Sequence, residues 1–345
     1  MEERTVCGWG CGAELLCYNG MCKAYRLDCK LMLLMITRAE VKGLKPGLKS
    51  VLWSGAALLL ILFLAVPGLN LLSVLLLMVP YVVLFSTLSA RSFLLHLVPV
   101  WVIAAIVLGP GILIVALFFL IPSVVMGQLY KRKEPASKVL KMTFVAVLAL
   151  LLLELIVFEY VLDLSVFDQM RTVVRDMVSD LRSNNLLPAV WTDDYTDLMI
   201  RMMINSIPVA FMMIAFMYSV ITHFIARRIL NAKTYGMELP GTPEAREWKL
   251  PRSLVVFYLI VYVLDLFVSV ESSSFLPIAL INLMPLLRLA FAIQAVGFFF
   301  FIAHERGWHK VVPVLIAIPV LLFPPLSIIG VLDAAFPIRK SFKKT

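Results

Sequence analysis

Apolar residues fall in long runs separated by short polar stretches. Runs close to the ~20 residues that cross a bilayer occur at Val51–Val66, Leu71–Leu88, Ser92–Leu108, Ile112–Tyr130, Val139–Leu162, Leu198–Ile225, Pro251–Val270 and Leu276–Ala303. A helix satisfies its backbone groups within one segment, so the pattern predicts an all-α, polytopic transmembrane bundle of about eight spans. Barrel strands alternate apolar and polar residues; Val145–Leu153 does not. Pro67–Asn70 and Gly109–Pro110–Gly111 supply turn signals between spans.

Two stretches break the pattern. In 163–197, Val166, Phe167, Met170, Val173, Val174, Met177 and Leu181 recur at helical spacing among aspartates and arginines. That spacing predicts an amphipathic helix lying against the bundle or the interface. Val311–Phe336 is divided by Pro324–Pro325. Each piece has the length of a re-entrant segment, roughly 10–14 residues. The expectation is a broken hairpin that returns the tail to the side it left; the alternative is a ninth span. The chain thus reads as an N-terminal extension, non-native or disordered (1–34), a five-span membrane half (35–163), an extracytoplasmic amphipathic segment (164–197), and a second membrane half with a basic cytoplasmic tail (198–345).

Composition sharpens this picture. Of 345 residues, 61% are hydrophobic and 15% charged, too apolar for a soluble domain. The net charge of +9 is not a nucleic-acid footprint, because the basic residues sit in loops beside apolar runs. If the segment before the first span is cytoplasmic, the inner loops hold eighteen basic residues and the outer loops hold three, Arg171, Arg175 and Arg182. This places the N-terminus in the cytoplasm. All five cysteines lie in the first 29 residues, with neither C-x-x-C spacing nor a histidine among them, so no metal site is expected. Their abrupt end suggests that translation begins near Met32 or Met35.

Charged residues at membrane depth are the candidates for chemistry. Glu154 interrupts an aliphatic run, and Arg288 sits near the middle of the last long span with Asn282 and Gln294 six residues to either side. Arg201 and Asn205 lie four apart near the start of the sixth run. These six residues are candidates for a ligand or proton site between helices; the plainer reading is an intramembrane ion pair or polar glue. Ser54, Gly55, Ala56 and Ala57 are a run of small residues able to admit a partner helix, or to pack within the chain. Asp333 is expected at the interface beside the basic tail. No nucleotide loop, catalytic triad or H-E-x-x-H pattern is present, so neither an enzyme nor a cofactor is expected.

Several passages carry a family resemblance. They are Phe118–Pro122 with Met126–Lys131, Glu247–Ser253, Asn282–Leu287, Gln294–Phe298 through His304, Gly330–Asp333, and Phe336–Lys340. Together they resemble the YybS family of uncharacterised polytopic membrane proteins of Gram-positive bacteria, over residues 35–345. The resemblance implies a multi-pass protein of the cell membrane. The N-terminal half of that family is remotely similar to the substrate-binding subunits of energy-coupling-factor transporters, where small residues of the first helix dock on a membrane partner. The functional expectation is therefore a small-molecule transport or substrate-binding membrane component. Its partners would be the bilayer, other membrane proteins and an unidentified small molecule. The alternative is a structural or regulatory membrane protein acting through loops 131–141 and 226–252.

Overall fold

The computed structural model describes residues 17–18, 21–22, 46–160, 163, 165–188, 190–268, 274–309 and 311–342. The chain divides into two compact units, Met1–Ser50 and Val51–Thr345. The first contains a two-residue antiparallel ladder, Cys17–Tyr18 (β1) with Met21–Cys22 (β2). The expectations about the other cysteines and the start codon fall outside the described residues. A helix, Pro46–Phe63 (α1), opens in the first unit and continues into the second.

The second unit is an all-α bundle. Its helices are Asn70–Leu76 (α2), Met78–Thr87 (α3), Ala90–Leu108 (α4), Ile112–Lys131 (α5), Ala136–Tyr160 (α6), Val166–Ser183 (α7), Asp193–Asn205 (α8), Ile207–Leu230 (α9), Arg252–Phe267 (α10), Phe275–Arg306 (α11), Val311–Leu322 (α12), Ser327–Ala335 (α13) and Arg339–Phe342 (α14). Among the described residues, six helices are long and apolar enough to cross a membrane, or seven if the bent pair at the end counts as one span. The apolar helices Gly47–Phe63 and Arg252–Phe267 fall short of that length. The protein is thus a multi-pass helical bundle, and the shortfall from eight lies in those two helices.

The elements follow from local chemistry. Ser89 caps α4 by accepting from the Ser92 amide. The second run breaks at Leu77 rather than at Pro80, because Pro80 has no amide hydrogen to return to the preceding turn. The sixth run also differs from expectation: Leu198–Asn205 belongs to α8, and the long helix begins at Ile207. The Asn282 side chain makes this junction. Its Oδ1 accepts from the Val209 amide at 2.9 Å, and its Nδ2 donates to the Asn205 carbonyl at 2.8 Å. Neighbouring Pro208 has no amide to satisfy.

The amphipathic helix predicted after residue 163 is α7. It buries Val174 and Val178 against Ile200 of α8, and Arg175–Asp197 and Arg182–Asp193 pair across the two helices, each at 2.9 Å. Helix α9, from the second half of the chain, packs with α3, α5 and α6 of the first. Tyr81, Phe119, Val147 and Tyr218 meet in one apolar cluster, and Val82, Met126, Val139 and Ala226 in another. The second half is organised on α11, which touches α9, α10, α12 and α13.

The helices α12 and α13 meet at a bend of 117°. Both outer ends of this pair lie beside the last turns of α11. Val311 follows Arg306 by five residues, while Phe342 meets Phe298 edge to face at 5.8 Å and lies under Arg306 at 6.0 Å. The chain therefore enters and leaves this segment at the same end of α11, the geometry of a hairpin.

Candidate functional site

The segment before α10 is extended at Trp248 and Pro251. Extended backbone outside a sheet must find other partners for its buried amides and carbonyls. Here side chains supply them. Gln294, 1% exposed on α11, accepts from the Leu250 amide at 2.9 Å and donates to the Trp248 carbonyl at 3.4 Å. Its amide also donates to the carboxylate of Asp333.

Asp333 is 1% exposed and is paired with Arg339 of the basic tail beside which it was expected. Its place is set by α13, which lies so close along α11 that a Cβ at Gly330 would stand 1.8 Å from the Phe291 carbonyl oxygen. The carboxylate is gripped by Arg339 at the start of α14: Nε donates to Oδ1 at 2.9 Å and Nη2 to Oδ2 at 2.6 Å. A buried carboxylate is tolerable only with such pairing. The remaining donors of the guanidinium reach the carbonyls of Arg246 at 2.6 Å and Trp248 at 2.8 Å. Its plane lies 5.2 Å from the ring centre of Phe301. One arginine thus joins the end of the hairpin, the loop before α10, and α11.

Next to this cluster is a cavity of about 460 Å³ lined by Glu244, Arg246, Phe300, His304, Trp308 and Pro313, among others. The short turn Ala245–Glu247 forms one wall. It reaches α11 because Gly297 is bare: a Cβ there would come within 2.8 Å of the Ala245 carbonyl. Arg246 pairs with Glu244 at 2.6 Å and donates to Nε2 of His304 at 2.6 Å, so that nitrogen is the acceptor in this tautomer.

The candidates read from sequence scatter. Gln294 is in the cluster. Glu154 on α6 and Arg288 on α11 are half-buried. No ion pair joins them, and neither has a hydrogen bond to a described residue. Arg201 is exposed on α8, and Asn205 and Asn282 make the helix junction. Of the small residues in α1, Ala57 is buried in the apolar core and Ala56 is half-buried. Gly55 is exposed with open space where a side chain would be, and Ser54 is half-buried. Among the described residues, no group of three His, Cys, Asp or Glu could hold a metal ion. Arg339 and Arg246 were missed, and Asp333 was not placed among the six candidates. Their one sequence signal is a lone acid in the apolar stretch Ser327–Ala335, followed six residues later by an arginine.

Four of the passages that carry the family resemblance meet in this cluster: Glu247–Ser253, Gln294–His304, Gly330–Asp333 and Phe336–Lys340. Residues 56–334 match the family described as "Predicted membrane protein (DUF2232)". The chain belongs to that family. It is 27% identical over 240 residues to "Uncharacterized protein YybS" of Bacillus subtilis (strain 168), covering 67% of this chain and 76% of the relative. No solved structure matches.

Proposed function

We propose that the chain is a small-molecule transport or substrate-binding component of the cell membrane. The observation that carries this reading is the broken hairpin of α12 and α13, bent by 117° and tied to α11 by the bond from Gln294 to the buried Asp333. Irregular backbone at membrane depth is tolerated where protein covers it or where it lines a cavity. Discontinuous helices are where many transporters hold their substrates. A free docking arm in loop 226–252, as the structural or regulatory alternative requires, fits less well. That loop is pinned by Arg227 and Asn231 to Leu239, and by Gln294 and Arg339 to residues 246–250.

Cells lacking the protein, complemented with wild type or with Arg339→Gln, test the proposal through small-molecule uptake and export profiles. Wild type should restore at least one flux that the variant does not. Identical profiles in the null, wild-type and variant strains, with no thermal shift of the purified protein across a metabolite panel, would sink it.

A further inference from the structure

The cavity at the end of α11 has one apolar and one polar side. Phe300, Trp308 and Pro313 line the first, Arg246 and His304 the second. Helix α12 leads away from it with Val311, Val314, Leu315 and Ile318 exposed, which in a membrane protein is a surface for lipid chains. The guanidinium of Arg246 is held from both ends. Its own carbonyl accepts from Arg339, and its Nε and Nη1 face Glu244 and His304. The Nη2 hydrogens make no bond to a described residue. Among the described residues beside it, Arg306 and Lys340 are further basic side chains at the end of α11 and in α14, against the acid Glu305.

We propose that this cavity holds the headgroup of an anionic phospholipid, its phosphate on Arg246 and its acyl chains along the exposed face of α12. A fixed guanidinium matches phosphate oxygens in geometry as well as charge. Tryptophan favours headgroup depth, and basic pockets between membrane helices are sites for acidic headgroups. Glu244 opposes the phosphate. Its side chain is 66% exposed, so it can swing into water at little cost, as expected of a surface ion pair.

The test uses the full chain in nanodiscs of phosphatidylcholine, doped with phosphatidylglycerol and read by native mass spectrometry. Wild type should retain phosphatidylglycerol in preference to phosphatidylcholine. Arg246→Gln should lower that retention about fivefold, the worth of one basic residue near a lipid surface. Glu244→Gln should raise it, and Lys233→Gln, on the loop after α9, should leave it unchanged. Equal retention of the two lipids by wild type would overturn the proposal, as would full retention by Arg246→Gln. Displacement of the lipid by equimolar glycerol phosphate would reassign the site to a soluble phosphate and also overturn it. If Arg246→Gln does not fold, Glu244→Gln decides: unchanged retention there refutes the phosphate contact.

Discussion

In and around the helices α3, α4, α5, α6 and α9, the hydrogen-bonded buried polar groups are neutral and act locally. Tyr130 and Nδ1 of His223 meet at 2.9 Å between α5 and α9, Trp101 donates to Tyr81 at 3.0 Å, and Ser123 donates to its own helix at 2.7 Å. Around α11, by contrast, the buried polar groups include a charged one, Asp333, and the guanidinium that pairs with it reaches three segments at once. A neutral pair needs two side chains on adjacent helices. A buried ion pair needs every donor and acceptor filled, because the desolvation cost is repaid only by complete hydrogen bonding. The second region therefore depends on more of the chain, and damage to it should spread further.

The sharpest way to break this contrast is Asp333→Ala. It leaves Arg339, 15% exposed, without its partner; breaking a fully buried pair costs about 3–5 kcal/mol in other proteins, which is the upper bound here. Chemical unfolding in detergent should show a loss within that bound, with amide exchange rising in 245–251. A loss below that of any Tyr130 variant would erase the distinction. Next comes Gly330→Ala, where the new methyl group would meet the Phe291 carbonyl and force α13 away; overpacking of this kind costs about 1–3 kcal/mol. Gly55→Ala, facing open space in the interior of α1, is the matched control and should not destabilise, since Ala favours a helix over Gly by about 0.5–1 kcal/mol. In the neutral region, Tyr130→Phe should cost about 0.5–1.5 kcal/mol, the net worth of one hydrogen bond, with no spread of exchange beyond α5 and α9.

The smallest effect lies outside both regions, at the exposed start of α7. The Ser165 hydroxyl, and then the Arg171 guanidinium, hold the Asp168 carboxyl below the usual aspartate range. A lowered folded value means the stabilisation is complete at neutral pH and is lost as pH falls through that value. Amide exchange in the first turn of α7 should accelerate only in acid, and Asp168→Asn should remove that acid limb. Wild type and variant that track each other down to about pH 3 would refute the assignment.

Much of the fold was legible in the sequence. Apolar runs marked the helices to within a few residues, since lipid and helix geometry constrain length directly. The period of Val166–Leu181 marked α7, and Pro324–Pro325 marked the bend. Two boundaries were not legible. The start of α9 is decided by Asn282, distant in sequence, and the break at Leu77 precedes the proline that causes it.

The site was less legible for one reason. Sequence shows which polar residues sit at membrane depth, and Glu154, Arg288, Asn282 and Gln294 stood out on that ground alone. It does not show which helices are neighbours. Only the tertiary structure left Glu154 and Arg288 without an ion pair between them, gave Asn282 to a helix junction, and brought Gln294, Asp333 and Arg339 together. Asp333 read as a neighbour of the basic tail; only the packing of Gly330 on α11 shows that it is also buried. The sequence by itself determined that this chain lives in a membrane as a helical bundle, because transfer of apolar length into lipid is a property of each segment. The tertiary structure decided which charges are buried and paired, because that depends on contacts between segments far apart along the chain.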